Sequence, residues 1–207
     1  MTIAAEDELL IATGNGGKIA EFRSLLAPLP LELRTLKEFP GIGEVEETGR
    51  TFSENAVLKA TVYGRQSRLW TLADDSGLEV DALGGAPGLY SSRYGGPGLT
   101  DSQRVERLLE ELAQLPQRER RARFVCVVAI ADGMGRIGNI STGSCEGRIA
   151  IAPRGTEGFG YDPVFLPDGF DQTFGELPAA IKLNISHRAL AIKAAYSFLA
   201  SRFQSTP

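Results

Sequence analysis

Short apolar runs and longer amphipathic stretches take turns along the chain. The apolar run ELLIAT, residues 8–13, precedes the glycine cluster GNGG, and apolar residues then recur at helical spacing at Ile19, Phe22 and Leu26. This pattern predicts a strand, a glycine turn and a helix. A second extended run, LELRTL, follows, and the turn-rich acidic segment 37–49 after it is predicted to be a surface loop.

Two later helix starts have the spacing of a capping box, in which a side chain at each end of the first turn satisfies a backbone donor. Thr51 and Glu54 precede the alanine-rich NAVLKATVYGRQ. Thr100 and Gln103 precede an amphipathic stretch of the same kind. Between these helices LWTLA predicts a strand that runs into Asp74, so helices and strands are expected to alternate.

The second half of the chain predicts a hairpin and a terminal helix. RARFVCVVAIAD and IGNISTGSCEGRIA are extended, and DGMGR between them contains the Asp-Gly signal of a hairpin turn. A terminal helix that begins after Ser186 is predicted by an apolar stripe of Ala189, Ile192, Tyr196, Leu199 and Phe203. We therefore predict a mixed α/β protein that forms one domain, 1–207, without internal repeats.

Composition excludes several classes of protein. The chain has 207 residues, 43% of them hydrophobic and 23% charged, which is typical of a globular domain. No apolar run approaches the roughly 18 residues of a membrane span, and the start, MTIAAEDELL, is acidic where a secretory signal is basic. We expect a cytoplasmic protein with no membrane partner. The net charge of −4 argues against nucleic-acid binding, so any anion site must be built locally.

Two motifs are predicted to have no ligand. Cys126 and Cys145 have neither the number of a disulfide framework nor metal-ligand spacing, so both are predicted to be reduced and structural. GMGRIG, residues 133–138, matches the dinucleotide pattern G-x-G-x-x-G. That pattern must open a helix, whereas the residues that follow are extended, so we do not predict a dinucleotide site.

The segment TGNGGK, residues 13–18, joins the first strand to the first helix. Amide donors at a helix start, glycines that permit close approach and one lysine are suited to a phosphate chain. The segment is not a Walker loop, because Ala12 stands at the first glycine position and Ile19 stands where a serine or threonine would bind magnesium. An ordinary flexible turn is the alternative.

A second glycine-rich segment, GTEGFGYDP at 155–163, contains two aromatic residues. Its glycines would let the backbone approach a planar ligand, and Phe159 or Tyr161 offers a face on which a base can stack. A tight turn with core aromatics is the alternative. His187, with Lys182 a little upstream, begins the last helix and is either a ligand contact or a surface or capping residue.

Asp74 and Asp75 place two like charges directly after an apolar run. Buried carboxylates need a cation, solvent or hydrogen bonds, and the alternative is a solvated loop at a strand end. If both residues are extended, their side chains point to opposite faces. One carboxylate is then expected to meet a metal and water while the other anchors the turn, and Glu46 or Glu47 could supply a second oxygen ligand for magnesium.

Five blocks, in order, are TGNGGK, EETGRTFSENAVLKA, ADDSGLEVDALGGAPGLYSSRYGG, GFGYDP and ISHR. With these blocks almost the whole chain resembles the inosine/xanthosine triphosphate pyrophosphatases. The resemblance implies a long mixed central sheet flanked by helices, in two lobes around a deep cleft. It also implies that a homodimer hydrolyses non-canonical purine nucleoside triphosphates at the α-phosphate with Mg2+.

The resemblance assigns roles to individual residues. Asp75 would be the catalytic base and a metal neighbour, with Glu46 as the other magnesium ligand and Glu47 as the alternative. The triphosphate would be held by Thr13, Gly14, Asn15, Gly16, Gly17 and Lys18. Ser76 would contact the substrate, and the base and phosphates would be surrounded by Phe159, Gly160, Tyr161, Asp162, Lys182, His187 and Arg188.

The chain departs from the family pattern at Leu183, where a small or polar residue is usual, and at Gly175, where alanine is expected. Neither position has a proposed role. Two rival functions stay open: a pyrophosphatase for modified pyrimidine triphosphates, and a nucleotide sensor that binds without turnover.

Overall fold

The structure, a computed structural model, describes residues 7–203. Most of the acidic start lies outside these residues, as do residues 204–207. The helices and strands of the described part are β1 (Glu8–Ile11), α1 (Gly16–Leu26), β2 (Glu32–Thr35), α2 (Phe52–Ser67), β3 (Trp70–Val80), α3 (Asp101–Glu111), β4 (Arg121–Ala131), β5 (Ile137–Ile149), β6 (Phe165–Pro167), α4 (Ala179–Ile185) and α5 (His187–Phe203).

The strands form one mixed sheet in the order β2-β1-β3-β4-β5-β6. β1 pairs in parallel with both β2 and β3, whereas β5 and β6 are antiparallel. β4 and β5 are joined by the predicted hairpin turn, in which the Asp132 N–H donates to the Arg136 carbonyl. The predicted mixed α/β class, with a long central sheet flanked by helices, is confirmed.

The chain folds as two compact units. The first contains residues 7–75, 126–143 and 188–203 of the described chain, and the second contains 76–125 and 144–187. The boundaries fall within β3, β4 and β5, so each of these strands contributes residues to both units. The single pyrophosphatase domain and the cleft stay predictions.

The core of the first unit is mainly aliphatic, with a few aromatic rings. Leu9 and Ile11 of β1 pack with Phe22 of α1, Leu72 of β3 and Val128 of β4. On α5 the buried face is made by Ala191, Ile192, Ala195, Leu199 and Phe203. The predicted stripe of this helix was wrong at Tyr196, which is 39% exposed, because the small side chain of Ala195 faces the core in its place.

The core of the second unit is built around aromatic rings. The Phe124 ring lies 4.6 Å from Phe165 and 6.4 Å from Phe174, centroid to centroid. Leu78 of β3 and Leu108 of α3 belong to the same cluster. Aromatic rings bury a large area and prefer defined mutual orientations, so they supply much of the apolar surface buried in this unit.

One of the two predicted capping boxes is confirmed in full and the other only in half. The Thr51 hydroxyl accepts the Glu54 N–H at 3.1 Å, but the Glu54 carboxylate accepts the N–H of Arg50 rather than that of Thr51. Thr100 and Gln103 form the complete capping box. No helix in residues 7–203 combines the length and the apolar character that a bilayer crossing requires.

Candidate active site

The glycine turn is built as the sequence predicts. β1 ends at Ile11 and α1 begins at Gly16, with Asn15 as its N-cap: the Asn15 side chain accepts the N–H of Lys18 at 3.0 Å. A Cβ added at Gly14 or Gly16 would meet no atom within 4 Å. The backbone of the turn is therefore open to a ligand, at a helix end where amide N–H groups attract anions.

Both acidic residues lie inside β3, not at its end. The predictions that the strand runs into Asp74 and that one of the two carboxylates anchors a turn were wrong, because β3 continues to Val80. Asp74 and Asp75 are both buried, at 1% and 7% exposure. The alternative of a solvated loop is excluded by this burial, so each carboxylate must be compensated by the residues around it.

Asp74 is compensated by two cations. Its Oδ2 lies 2.9 Å from Lys18 Nζ and 3.5 Å from Arg188 Nη2. Burial by itself raises the pKa of Asp74, but the charges of Lys18 and Arg188 outweigh burial and hold the pKa well below its ordinary range. Asp74 is therefore a permanent anion that holds the lysine of the glycine turn.

Asp75 has a different environment. Its Oδ2 accepts a hydrogen bond from Asn55 Nδ2 at 3.0 Å, and its Oδ1 lies 3.7 Å from Lys59 Nζ. Burial raises the pKa of Asp75 above its ordinary range, and Lys59 and Asn55 offset only part of this effect. A raised pKa suits a carboxylate that must take up a proton at neutral pH.

Lys59 connects Asp75 to the acidic loop. Its Nζ lies 2.6 Å from Oε1 of Glu47, whereas Glu46 is exposed. Burial alone would lower the pKa of Lys59, but the charges of Asp74 and Asp75 outweigh it and raise the pKa, so the ammonium stays charged. Of the two candidate metal ligands in the loop, Glu47 is the one that the structure brings beside Asp75.

Among the described residues of the first unit, four carboxylates and three cations meet around Asp74 and Asp75. Asp74, Asp75, Glu47 and Glu21 face the three cations Lys18, Lys59 and Arg188. Within the described residues, no group of three or more His, Cys, Asp or Glu side chains is arranged to hold a metal by itself. Magnesium usually keeps several waters and takes one or two carboxylates plus substrate phosphates, so the pair Asp75 and Glu47 fits it.

The glycine-aromatic segment lies in the second unit and is held by Asp162. The Asp162 carboxylate accepts the Phe159 N–H at 2.7 Å and the Lys182 ammonium at 2.5 Å. The same ammonium lies 4.8 Å from the centroid of the Phe159 ring. The Asp162 carboxylate therefore fixes both the backbone of this segment and the Lys182 side chain, because charge-assisted hydrogen bonds to a buried carboxylate are strong.

Two further bonds fix this segment. The Tyr161 hydroxyl donates to the Ser91 carbonyl at 3.0 Å, and the Gly160 N–H donates to Asp101 at 2.9 Å. Phe159 and Gly160 also line a cavity of about 460 Å³ with the first turn of α3. Tyr161 is buried, so the stacking face that the segment offers belongs to Phe159.

His187 and Arg188 are neighbours in the chain but belong to different units. The His187 ring stacks on Phe124 in the second unit, 4.7 Å between centroids and 13° between planes. The Arg188 guanidinium is buried in the first unit, paired with Glu21 and Asp74. Ser76, the first residue of the second unit, is half-buried in β3.

The sequence-based reasoning missed Asn55, Lys59 and Glu21. Asn55 and Lys59 are one helical turn apart on α2 and are both buried among alanines. Two polar residues at i and i+4 on the apolar face of a helix were the available signal. Nothing in the sequence near Glu21 indicates its partner, because Arg188 lies 167 positions away.

Comparisons with known proteins agree on one family. The model of the Ham1 family matches residues 9–198. A dITP/XTP pyrophosphatase of Synechocystis sp. is 50% identical over 183 residues, 88% of this chain and 90% of that protein. Another from Oceanobacillus iheyensis is 46% identical over 186 residues, 89% of this chain and 94% of that protein.

Solved structures give the same result. A HAM1 protein from Coxiella burnetii superposes with a TM-score of 0.84 at 40% identity, covering 94% of this chain and 98% of that one. The Ham1 protein of Staphylococcus aureus superposes with a TM-score of 0.82 at 39% identity and the same coverage. The similarity extends over nearly the whole length of both chains.

Proposed function

Because this chain belongs to the Ham1 family, we propose that it hydrolyses non-canonical purine nucleoside triphosphates (ITP, XTP and their deoxy forms) to the monophosphate and pyrophosphate. One observation carries the proposal: two adjacent buried carboxylates have different partners. Asp74 is paired with Lys18 and Arg188, whereas Asp75, whose pKa is raised by burial, lies with a second carboxylate, Glu47, against Lys59. In such a pair, the carboxylate with the raised pKa can act as a base while the other stays charged.

The glycine turn and Lys18 would bind the triphosphate. A triphosphate carries several negative charges that repel an attacking oxygen, and most of the catalysis of phosphoryl transfer is positioning and charge neutralisation. Lys18, held by Asp74 beside the N-terminus of α1, supplies a positive charge, and the open backbone at Gly14 and Gly16 would supply amide donors.

Asp75 would be the general base. It would orient a water in line with the departing pyrophosphate and take up a proton as the water oxygen bonds to the α-phosphorus and the bond to the bridging oxygen breaks. Asp75 with Glu47, or with Glu46 as the alternative, would hold Mg2+. When bound, magnesium neutralises phosphate charge and lowers the pKa of water.

The second unit would recognise the base. Phe159 offers a stacking face, and Lys182 and His187 are its candidate donors. Inosine and xanthosine carry a 6-oxo acceptor where adenine carries an amino donor. Donors in the site would therefore hydrogen-bond the 6-oxo group, whereas they would face the amino donor of adenine without an acceptor. The pairing of Arg188 with Asp74 and Glu21 favours a supporting role for this residue.

A pyrophosphate-release assay on ITP, XTP, GTP, ATP and modified pyrimidine triphosphates tests the proposal, with Asp75→Asn as the matched variant. We expect ITP and XTP to be preferred, and kcat to fall about 100-fold or more in folded Asp75→Asn, because the amide keeps the size of the carboxylate but cannot take a proton. A preference for the pyrimidines, or tight binding of ITP in magnesium without turnover, would establish one of the rival functions.

The proposal includes a cytoplasmic location and a homodimer. Nucleotide pools are cytoplasmic, and the acidic net charge of −4 is consistent with a small-molecule enzyme rather than a nucleic-acid binder. Light scattering during size-exclusion chromatography would measure the mass of the particle. We expect twice the chain mass of 22.2 kDa.

A further inference from the structure

The loop before α2 follows the helix in a regular polar ladder. The Val45 N–H donates to the Tyr63 hydroxyl at 3.1 Å, the Glu47 carboxylate meets Lys59 at 2.6 Å, and the Gly49 N–H donates to Asn55 Oδ1 at 2.7 Å. Successive contacts are two residues apart along the loop, at 45, 47 and 49, and four residues apart in the reverse direction along the helix, at 63, 59 and 55.

The two spacings match physically. Two residues of extended chain span about 6.6 Å, and four residues of α-helix rise about 6.0 Å. The loop therefore runs extended and antiparallel to α2, with one contact per helical turn. Gly49 permits the final contact, because a Cβ there would lie 2.6 Å from Asn55 Oδ1.

Asn55 differs from the other members of the ladder because its amide has two partners of different kinds. Its oxygen accepts the loop N–H of Gly49, and its nitrogen donates to Oδ2 of Asp75. Asn55 itself is 2% exposed. One planar group thus fixes both the loop that carries Glu47 and the rotation of the Asp75 carboxylate, whose Oδ1 is left on the side of Lys59.

We infer that Asn55 is a positioning residue that orients Asp75 and sets its distance from Glu47; this inference rests on the proposed function. A buried amide is suited to this task because it supplies a donor and an acceptor without adding charge. Misplacement of a catalytic group by about 1 Å can cost about 100-fold in rate.

Asn55→Leu removes both bonds at similar volume, and Tyr63→Phe is the matched control because it removes a ladder bond that does not touch Asp75. We expect kcat for ITP to fall about 10- to 100-fold in Asn55→Leu, with KM within about threefold because Lys18 is unaffected. Tyr63→Phe should keep both within about twofold. Equal effects of the two variants, or a loss confined to KM, would overturn the inference.

Asn55→Asp covers the case in which Asn55→Leu does not fold. Its carboxylate can still accept the Gly49 N–H but repels Asp75, so we expect kcat to fall at least about tenfold. A kcat within twofold of wild type in this variant contradicts the inference.

A double-mutant cycle in urea unfolding tests the contact without substrate. The effect of Asn55→Leu on the unfolding equilibrium constant should be at least about tenfold larger when Asp75 is present than in an Asp75→Ala background, because the bond is to a charged group. Equal effects in both backgrounds would refute the coupling. If the wild type releases no pyrophosphate from any triphosphate, the proposed function fails, and this cycle still decides whether Asn55 is coupled to Asp75.

Discussion

Asp74→Asn and Asp75→Asn are identical changes at adjacent positions of one strand, and the structure predicts opposite consequences for stability. Asp74 is the shared counter-ion of Lys18 and Arg188, and Arg188 is 1% exposed. Removing one partner of a buried ion pair costs about 3–5 kcal/mol, because the remaining charge is left in a poorly solvated place. The amide keeps some polar contact, so we expect the free energy of unfolding to fall by about 3 kcal/mol, the lower end of this range.

Asp75 should behave in the opposite way. Burial raises its pKa, which means that the folded protein disfavours the charged form. Asp75→Asn removes that charge while keeping the shape, so the free energy of unfolding should stay the same or increase. The activity should be lost in this variant, whereas in folded Asp74→Asn the KM should rise because Lys18 is no longer held beside the glycine turn.

The pH dependence gives a sign that can be checked. The pKa of Asp74 is lowered in the folded state, so its contribution to stability is fully present above the ordinary value of about 4 and is lost as the pH falls below it. The stability gap between wild type and Asp74→Asn should therefore shrink as the pH falls from about 5 towards 3.

Urea unfolding at several pH values, with thermal melts, measures these differences. For a chain of this length about 3 kcal/mol corresponds to a fall in Tm of about 6–12 °C. If Asp74→Asn unfolds within 1 kcal/mol of wild type, or if Asp75→Asn is destabilised as much as Asp74→Asn, the assignment of the two carboxylates is refuted.

Two further predictions concern the acidic loop. In a metal titration, Glu47→Gln should raise the magnesium concentration for half-maximal activity by about tenfold or more, whereas Glu46→Gln should leave it within about twofold. The reverse order would identify Glu46 as the ligand. Gly49→Ala should lower the free energy of unfolding by about 1–3 kcal/mol, because its Cβ would lie 2.6 Å from Asn55 Oδ1 and 2.7 Å from Glu54 Cβ; unchanged urea unfolding would show that the loop can move aside.

Local signals in the sequence were sufficient for most elements of the fold. The glycine turn before α1, the cap at Thr51, the capping box at Thr100 and the hairpin after β4 were all confirmed. Each depends on residues within a few positions of one another, where side-chain spacing and backbone hydrogen bonding are directly related. The prediction that Tyr196 faces the core was wrong because an apolar stripe at helical spacing does not show which of two neighbouring side chains is buried.

The candidate site was less predictable because its partners are distant in sequence. Asp75 meets Asn55 across 20 positions and Arg188 meets Glu21 across 167, and no local pattern encodes either contact. The sequence ADDSG predicts the end of a strand, since charged residues are rare in buried strands. β3 continues through it only because α1, α2 and α5 supply the compensating groups.

The alternation of side chains along β3 explains why adjacent acids can have different functions. Asp74 lies among cations from α1 and α5, while Asp75 faces Asn55 and Lys59, the two polar residues on the buried face of α2. Lys18 is 17% exposed at its side chain, whereas Arg188 is enclosed. If Lys18 turns to a phosphate oxygen, Asp74 keeps a buried counter-ion in Arg188, so the lysine can move without leaving an uncompensated carboxylate. A single cation on Asp74 would not allow this, since its loss to the substrate would cost several kcal/mol.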